Sequence, residues 1–314
     1  MSVAPAAAIV FAYHNVGVRC LRVLLAHGVR VPLVVTHADD PGENVWFGSV
    51  AAVAAEYEIP CITPDHVSAP EVLSRIGARP DFLFSFYYRR MLDRALLDLP
   101  RRGALNMHGS LLPKYRGRAP VNWAVLHGER ETGATLHYMT EKPDNGDIVA
   151  QTPVPILPDD TAREVFDKVT VAAEISLDGI LPSLLAGTAP RVPQDLRRGA
   201  YFGGRKPADG VIDWTQDASA IHNLVRAVAP PYPGAFTRIG DAQGRILRSR
   251  LLDTGTPPSS PALQVRDGRL VAHCGGGGML QVLELEIEGA PTDASAFHAR
   301  FGIAAVPLGA ATLA

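Results

Sequence analysis

Along the first 190 residues the apolar positions follow two rhythms. Short, largely apolar runs at 9–13, 31–36 and 82–88 read as strands, and 104–108 is a fourth strand candidate. A weaker run at 59–63 reads the same way. Between them, 18–26, 47–56 and 119–127 carry apolar residues at helical spacing, with Gly28 as a stop for the first. Positions 134–139 and 148–156 are extended, and Pro153 and Pro155 put the second at a sheet edge. The stretch 161–185 predicts a long helix, with Thr161 as N-cap and Glu164 completing a capping box. Strands alternating with helices imply crossover connections and a mostly parallel α/β sheet. Functional residues are then expected in loops just past strand ends.

The texture changes after the polar, Pro-containing stretch 188–195. A helix at 219–228 is followed by short extended pieces with turns at Gly240-Asp241, Asp267-Gly268 and 275–278, the last read as a flexible turn. Positions 282–287 alternate apolar and acidic residues, the mark of a half-buried strand. The expected division is a catalytic domain at 1–190, a linker at 191–204 and a small β domain at 205–314.

Composition narrows the class. The chain has 314 residues, 47% of them apolar, which excludes a disordered tail and a small disulfide scaffold. Lys and Arg number 30 against 32 Asp and Glu, so no overall basic excess points to nucleic acid or to a membrane surface. Cys20, Cys61 and Cys274 match no zinc spacing or disulfide framework, as suits a reducing compartment. The first ten residues lack the basic start of a signal peptide, and no unbroken apolar run reaches about 18 residues, so a cytoplasmic protein without a transmembrane helix is expected. Only Gly17 stands near the end of the first strand, so the dinucleotide fingerprint is missing; so is a phosphate-binding G-x-x-x-x-G-K-[ST].

The richest chemistry lies in Asn106-Met107-His108-Gly109-Ser110-Leu111-Leu112-Pro113-Lys114-Tyr115-Arg116-Gly117-Arg118, at a strand end. Asn106 and His108 are two apart and share one face of an extended chain. A carboxamide can donate to a developing oxyanion and an imidazole can move a proton, which suits acyl transfer. Ser110 is not in a nucleophile elbow, so direct transfer is expected. The plainer alternative makes Asn106 a turn cap and His108 a satisfied buried histidine. In Glu141-Lys142-Pro143-Asp144-Asn145-Gly146-Asp147 an aspartate could orient that histidine, although Pro-Asp-Asn-Gly is also a good turn by itself. His37, Asp39, Asp40 and Glu43 could be a hard-ligand or substrate cluster, or ordinary turn chemistry; Trp123 and Trp214 read as packing residues.

The pattern N-x-H-G-S-L-L-P-x-Y-R-G followed by a D-x-G loop resembles the folate-dependent formyltransferases. FAYHNVG, THADDPGE, FSFYYRR, LPKYRGRAPVNW, HNLVRAVA and PYPGAF extend the resemblance over roughly residues 9–302. Gly117-Arg118-Ala119-Pro120-Val121-Asn122-Trp123 is similar to the sugar-modifying branch, in particular the formyltransferase part of bifunctional polymyxin-resistance enzymes, which serves lipid A modification. The resemblance implies a Rossmann-like formyltransferase domain, then a small OB-like β domain. It implies 10-formyltetrahydrofolate as co-substrate and no metal. Asn106 would stabilise the oxyanion, His108 would carry the proton, and Asp144 would strengthen His108 as a base. Arg90, Met91, Leu92, Arg118, Thr140, Glu141, Lys142 and Pro143 would hold the folate. Apart from the resemblance, Arg116, Arg205 and Arg226 could meet the pyrophosphate of a nucleotide-sugar acceptor, or be solvated or structural arginines.

The implied acceptor is UDP-4-amino-4-deoxy-L-arabinose. The alternatives are another amino sugar, initiator methionyl-tRNA, or a binding module without catalysis. From 201 to 314 the chain carries ten Lys and Arg against ten Asp and Glu, which argues against a tRNA-binding domain. No nucleic-acid partner and no membrane insertion are expected. The bifunctional relatives add a dehydrogenase-decarboxylase part, which a chain of this length is not expected to hold, so it would formylate only.

Overall fold

In the computed structural model, residues 5–67, 69–302 and 304–311 are described. The chain runs β1 (Ala7–Ala12), α1 (His14–Ala26), β2 (Arg30–Val35), α2 (Val50–Glu56), β3 (Cys61–Ile62), α3 (Pro70–Ile76), β4 (Phe82–Phe86), α4 (Arg94–Leu97) and β5 (Ala104–His108). It continues through β6 (Arg116–Gly117), α5 (Pro120–Leu126), β7 (Glu131–Tyr138), β8 (Ile148–Pro155), α6 (Ala162–Ala186) and β9 (Tyr201–Phe202). The remainder is α7 (Ala218–Val228), β10 (Ala235–Ile239), β11 (Ala242–Asp253), β12 (Ala262–Arg266), β13 (Arg269–His273), β14 (Met279–Ile287), β15 (Ala290–Pro291), α8 (Ala294–Phe301) and β16 (Val306–Gly309).

Two compact units emerge, and neither is one continuous stretch. The first takes residues up to 120, 132–154 and 166–202; the second takes 121–131, 155–165 and 203 onward. In the first, the sheet order is β3-β2-β1-β4-β5-β7-β8. Strands β1 to β5 pair in parallel, and β7 runs antiparallel to β5. Every residue of β1 and β4 is buried, which is why their sequences are apolar without alternation. One face is closed by Ile9, Phe11, Leu33, Val35, Leu83, Leu92 and Leu96. Strand order reverses between β1 and β4, so the carboxyl ends of β1, β4 and β5 border the crevice where such sheets bind ligands.

The predicted capping box starts α6: Thr161 N donates to Glu164 Oε2 (2.7 Å) and Glu164 N to Thr161 Oγ1 (3.3 Å). By length and composition alone α6 is long and apolar enough to cross a membrane. Its pattern is that of a core helix. Val165, Phe166, Val169, Ala173, Leu177 and Leu181 are buried at helical spacing, while Glu174 and Asp178 pair with Arg19 and His27.

In the second unit, β11, β10, β16, β12, β13 and β14 pair antiparallel in turn, and β14 pairs back to β11. The small β domain is thus a closed antiparallel barrel, a form without free sheet edges. Its core holds Trp214, Ile221, Val225, Ile239, Ile246, Leu263, Leu280 and Phe297. The glycine run 275–278 is a packed turn, not a flexible one. Gly275 N donates to Trp214 O, Gly276 N to Gln216 O and Gly278 N to Thr256 O. A Cβ on Gly275 or Gly276 would lie 2.5 or 2.6 Å from that backbone.

Candidate active site

Strand β5 delivers Asn106 and His108 at its carboxyl end, and the antiparallel register sets His137 of β7 opposite Asn106. The next loop is fastened from β7. Thr135 Oγ1 donates to Ser110 O (2.6 Å) and accepts from Leu112 N (3.2 Å), and Ser110 Oγ donates to Lys114 O (2.6 Å). Ser110 is therefore structural.

That loop returns the Tyr115 carbonyl to within 2.8 Å of His108 Nε2. A carbonyl only accepts, so Nε2 carries the hydrogen and Nδ1 keeps its lone pair. His108 is 6% exposed, and its Nδ1 lies 3.5 Å from Asp144 Oδ1. The same oxygen is 3.5 Å from His137 Nε2, and Asp144 Oδ2 accepts from Gly117 N at 2.7 Å. Burial alone would raise the Asp144 carboxyl. His108, His137 and the Gly117 N–H outweigh it and hold the group far below its ordinary value. Asp144 is an enclosed anion between two imidazoles, held by one backbone N–H.

Asp144 reaches this place in the left-handed region, φ 55°, which aspartate tolerates better than most residues. Gln194 holds the turn: its Nε2 donates to Asp144 O (3.0 Å) and to Gly146 O (2.6 Å). The stretch 191–204, expected as a linker, clusters with the first unit through residue 202. Val192 bridges Ile148, Arg191 pairs with Asp147, and β9 pairs with β6. Gly117 has φ 96°, and a Cβ there would lie 2.3 Å from Phe202 O, so this crossing needs glycine.

The remaining predicted residues divide. Thr140, Glu141 and Lys142 border a cavity of about 460 Å³ with Leu97 and Met139. It shares Leu97, Met139, Thr140 and Asn145 with a second cavity of about 290 Å³ that reaches Gly103 and Ala104. Pro143 is half-buried between that edge and Asp144. Leu92 is buried, Met91 is 62% exposed, and Arg90 donates to Pro64 O. Arg118 is exposed, with its N–H on Phe202 O (2.9 Å).

Two of the three arginines considered for a pyrophosphate are engaged by the protein itself. Arg116 donates to Asn145 Oδ1, Leu196 O and Gly199 O, so its guanidinium ties the site loops together. Arg226, 6% exposed, donates to Asn223 Oδ1 and to the carbonyls of Leu157 and Asp160 inside the second unit. Arg205 lies over the Trp123 ring at 5.0 Å, donates to Asp209 O, and is lowered by burial. Trp214 packs in the barrel with its Nε1 on Thr237.

The 37–43 cluster serves its own fold. His37 stacks on Tyr88 at 4.1 Å and accepts from Arg89 N, and burial followed by Arg90 and Arg89 lowers it to about 4. Asp39 accepts from Tyr13, Asp40 from Gly42 N, and Glu43 from Arg89. Among the described residues no group of three or more His, Cys, Asp or Glu could hold a metal ion.

Sequence reasoning missed His137 and Gln194. His137 stands inside an apolar strand pattern, and a histidine in a run as apolar as Ala134-Thr135-Leu136 was the available signal. Gln194 gave none.

Comparison with known proteins agrees with this outline. An N-formyltransferase from Helicobacter canadensis, crystallised with folinic acid and dTDP-3-aminofucose, is 21% identical at a TM-score of 0.69, covering 88% of this chain and 98% of that one. WlaRD, a sugar 3N-formyltransferase with dTDP and 5-N-formyl-THF, is 19% identical at 0.68, covering 90% and 98%. HypX from Aquifex aeolicus is 17% identical at 0.60, with 96% of this chain covering 49% of that one. These likenesses establish the fold. The family model for formyl transferase matches residues 22–178, and that for the formyl transferase C-terminal domain matches 205–302. With half of the chain in the first model and the second following in order, the chain belongs to the formyltransferase family.

Proposed function

We propose that this protein transfers a formyl group from 10-formyltetrahydrofolate to the amine of a nucleotide-linked amino sugar, with UDP-4-amino-4-deoxy-L-arabinose as acceptor. The observation that carries this is the convergence of Asn106, His108 and Asp144 in one partly buried cluster, Asn106 joining it through His137. The solved relatives support the substrate class, since two of them are sugar formyltransferases crystallised with formyl-folates and dTDP or a dTDP-sugar.

The folate supplies the formyl group. The residues fit it: the larger cavity, about 460 Å³, falls in the size range of small-molecule sites. Leu97, Met139 and Ala104 give the two cavities an apolar lining, and Thr140, Glu141 and Lys142 a polar edge. Arg90, Met91, Leu92, Pro143 and Arg118 complete the proposed folate set. The amine attacks the formyl carbon, forming the new C–N bond as the old one breaks. Asn106 Nδ2 donates to the formyl oxygen as charge grows there. His108 takes the amine proton on Nδ1, while Tyr115 O holds the other nitrogen, and returns it to the folate N10 as the formyl–N10 bond breaks, releasing tetrahydrofolate. Asp144 balances the imidazolium.

The test is to supply 10-formyltetrahydrofolate with UDP-4-amino-4-deoxy-L-arabinose, dTDP-3-aminofucose or initiator methionyl-tRNA, and to follow tetrahydrofolate release. Release should match N-formyl sugar one to one with the UDP sugar. Formylation of methionyl-tRNA and of no amino sugar overturns the proposal.

A further inference from the structure

We infer that His137 is a positioning residue for Asn106: its imidazole sets the carboxamide so that an N–H, not the carbonyl, is presented to the formyl oxygen. This rests on the formyl-transfer reading above. The two residues are direct partners in the antiparallel β5–β7 register. His137 Nδ1 lies 2.8 Å from Tyr138 O. That carbonyl can only accept, so the ring hydrogen is on Nδ1 and Nε2 keeps its lone pair. Asn106 Nδ2 lies 3.2 Å from Nε2.

The two orientations of an asparagine side chain differ only in which end carries the hydrogens. With Nδ2 toward Nε2, donor meets acceptor. With Oδ1 there, two lone pairs face each other and the hydrogen bond is lost. His137 is 1% exposed, so bulk water cannot supply a substitute partner and the preference is enforced. Nδ2 carries two hydrogens. One is committed to His137, and the other is left for the oxyanion with its direction already set. The Tyr138 carbonyl is equally fixed, because Tyr138 N donates to Asp147 O (2.9 Å) at the end of the Asp144 loop. Main chain, imidazole and carboxamide form a relay of fixed polarity that ends at the reacting centre, the preorganisation that oxyanion stabilisation requires.

The test is a double-mutant cycle read as kcat and KM in the tetrahydrofolate-release assay. His137→Leu and His137→Met remove the acceptor at similar volume, while His137→Gln restores one. Leu and Met should lower kcat about 10- to 100-fold, as expected for a displaced oxyanion donor. Both KM values should stay within about twofold. Gln should recover most of kcat. In an Asn106→Ala background, His137→Leu should cost nothing further, because there is no carboxamide left to orient. If Leu does not fold, judged by near-ultraviolet circular dichroism, the Met–Gln comparison in both backgrounds carries the test. Equal losses with and without Asn106, no recovery by Gln, or wild-type kcat in Leu and Met would overturn the inference. Asn106→Ala at wild-type turnover would instead overturn the formyl-transfer reading itself.

Discussion

Replacing Asp144 by asparagine changes one atom and one charge, and the donors around it set the consequence. Gly117 N donates to Oδ2 at 2.7 Å, so an asparagine there keeps its oxygen toward Gly117. Its NH2 group must then occupy the Oδ1 position, 3.5 Å from His108 Nδ1 and from His137 Nε2. Two effects combine. The imidazolium formed on proton transfer loses its counter-charge. Unit charges 3.5 Å apart interact by about 5 kcal/mol at an effective dielectric near 20. Both side chains are nearly enclosed, at 7% and 10% exposure, so little of this is screened. The new amide also points a donor at the lone pair that should take the proton. At about 1.4 kcal/mol per tenfold, and with the proton only partly transferred in the transition state, kcat should fall about 10³-fold. Asp144→Ala loses the charge but leaves Nδ1 unobstructed, so it should be no worse than Asp144→Asn. The assay is steady-state tetrahydrofolate release near pH 7.5 with both substrates varied, and folding checked by thermal melting. An Asp144→Asn enzyme within tenfold of wild type, or well above Asp144→Ala, would refute this reasoning.

Asn106→Ala should reduce kcat about 10²- to 10³-fold and His108→Ala about 10²- to 10⁴-fold, with unchanged melting temperatures. Wild-type turnover in both would dismantle the assignment. Gly117→Ala must leave its left-handed conformation or collide with Phe202 O, so urea unfolding should show a loss of about 1–3 kcal/mol together with lower kcat. A neutral result would mean that this backbone donor is not needed to hold Asp144. Asp144 also links stability to pH. Its folded-state carboxyl lies below the ordinary value of 3.8, so its stabilisation is present above that value and is lost as pH falls through the lower folded-state value. The stability difference between wild type and Asp144→Asn should therefore shrink as pH falls below about 4. A difference that grows on acidification would contradict the sign.

Much of the fold could be read because burial on both faces erases alternation. The stretches 9–13, 31–36, 82–88 and 104–108 stood out, and β1, β2, β4 and β5 lie within or alongside them. Helices α3 and α4 escaped notice; α4 is 4 residues long, too short for helical periodicity to accumulate. The glycines at 275–278 misled for another reason. Glycine signals freedom in isolation, yet here its missing Cβ lets two backbone segments approach within contact distance.

The site divides along the same line between local and long-range causes. Asn106 and His108 were legible because two residues in a strand share a face whatever the strand pairs with. His137 was not, because its meeting with Asn106 depends on the antiparallel register of β7 against β5, 31 positions along the chain. Arg116 and Arg226 looked like available cations because a sequence does not display the carbonyls that claim a guanidinium. Asp144 was recognisable as a turn residue, but its return to His108 needs Gln194, 50 residues later, to clamp the loop from outside. Gln194, Arg116 and the β6–β9 pair bind three separated segments, 106–118, 139–147 and 191–202, into one constellation. The residues that carry the chemistry announce themselves by type and spacing. Those that aim them are ordinary residues whose role exists only after the chain has closed on itself.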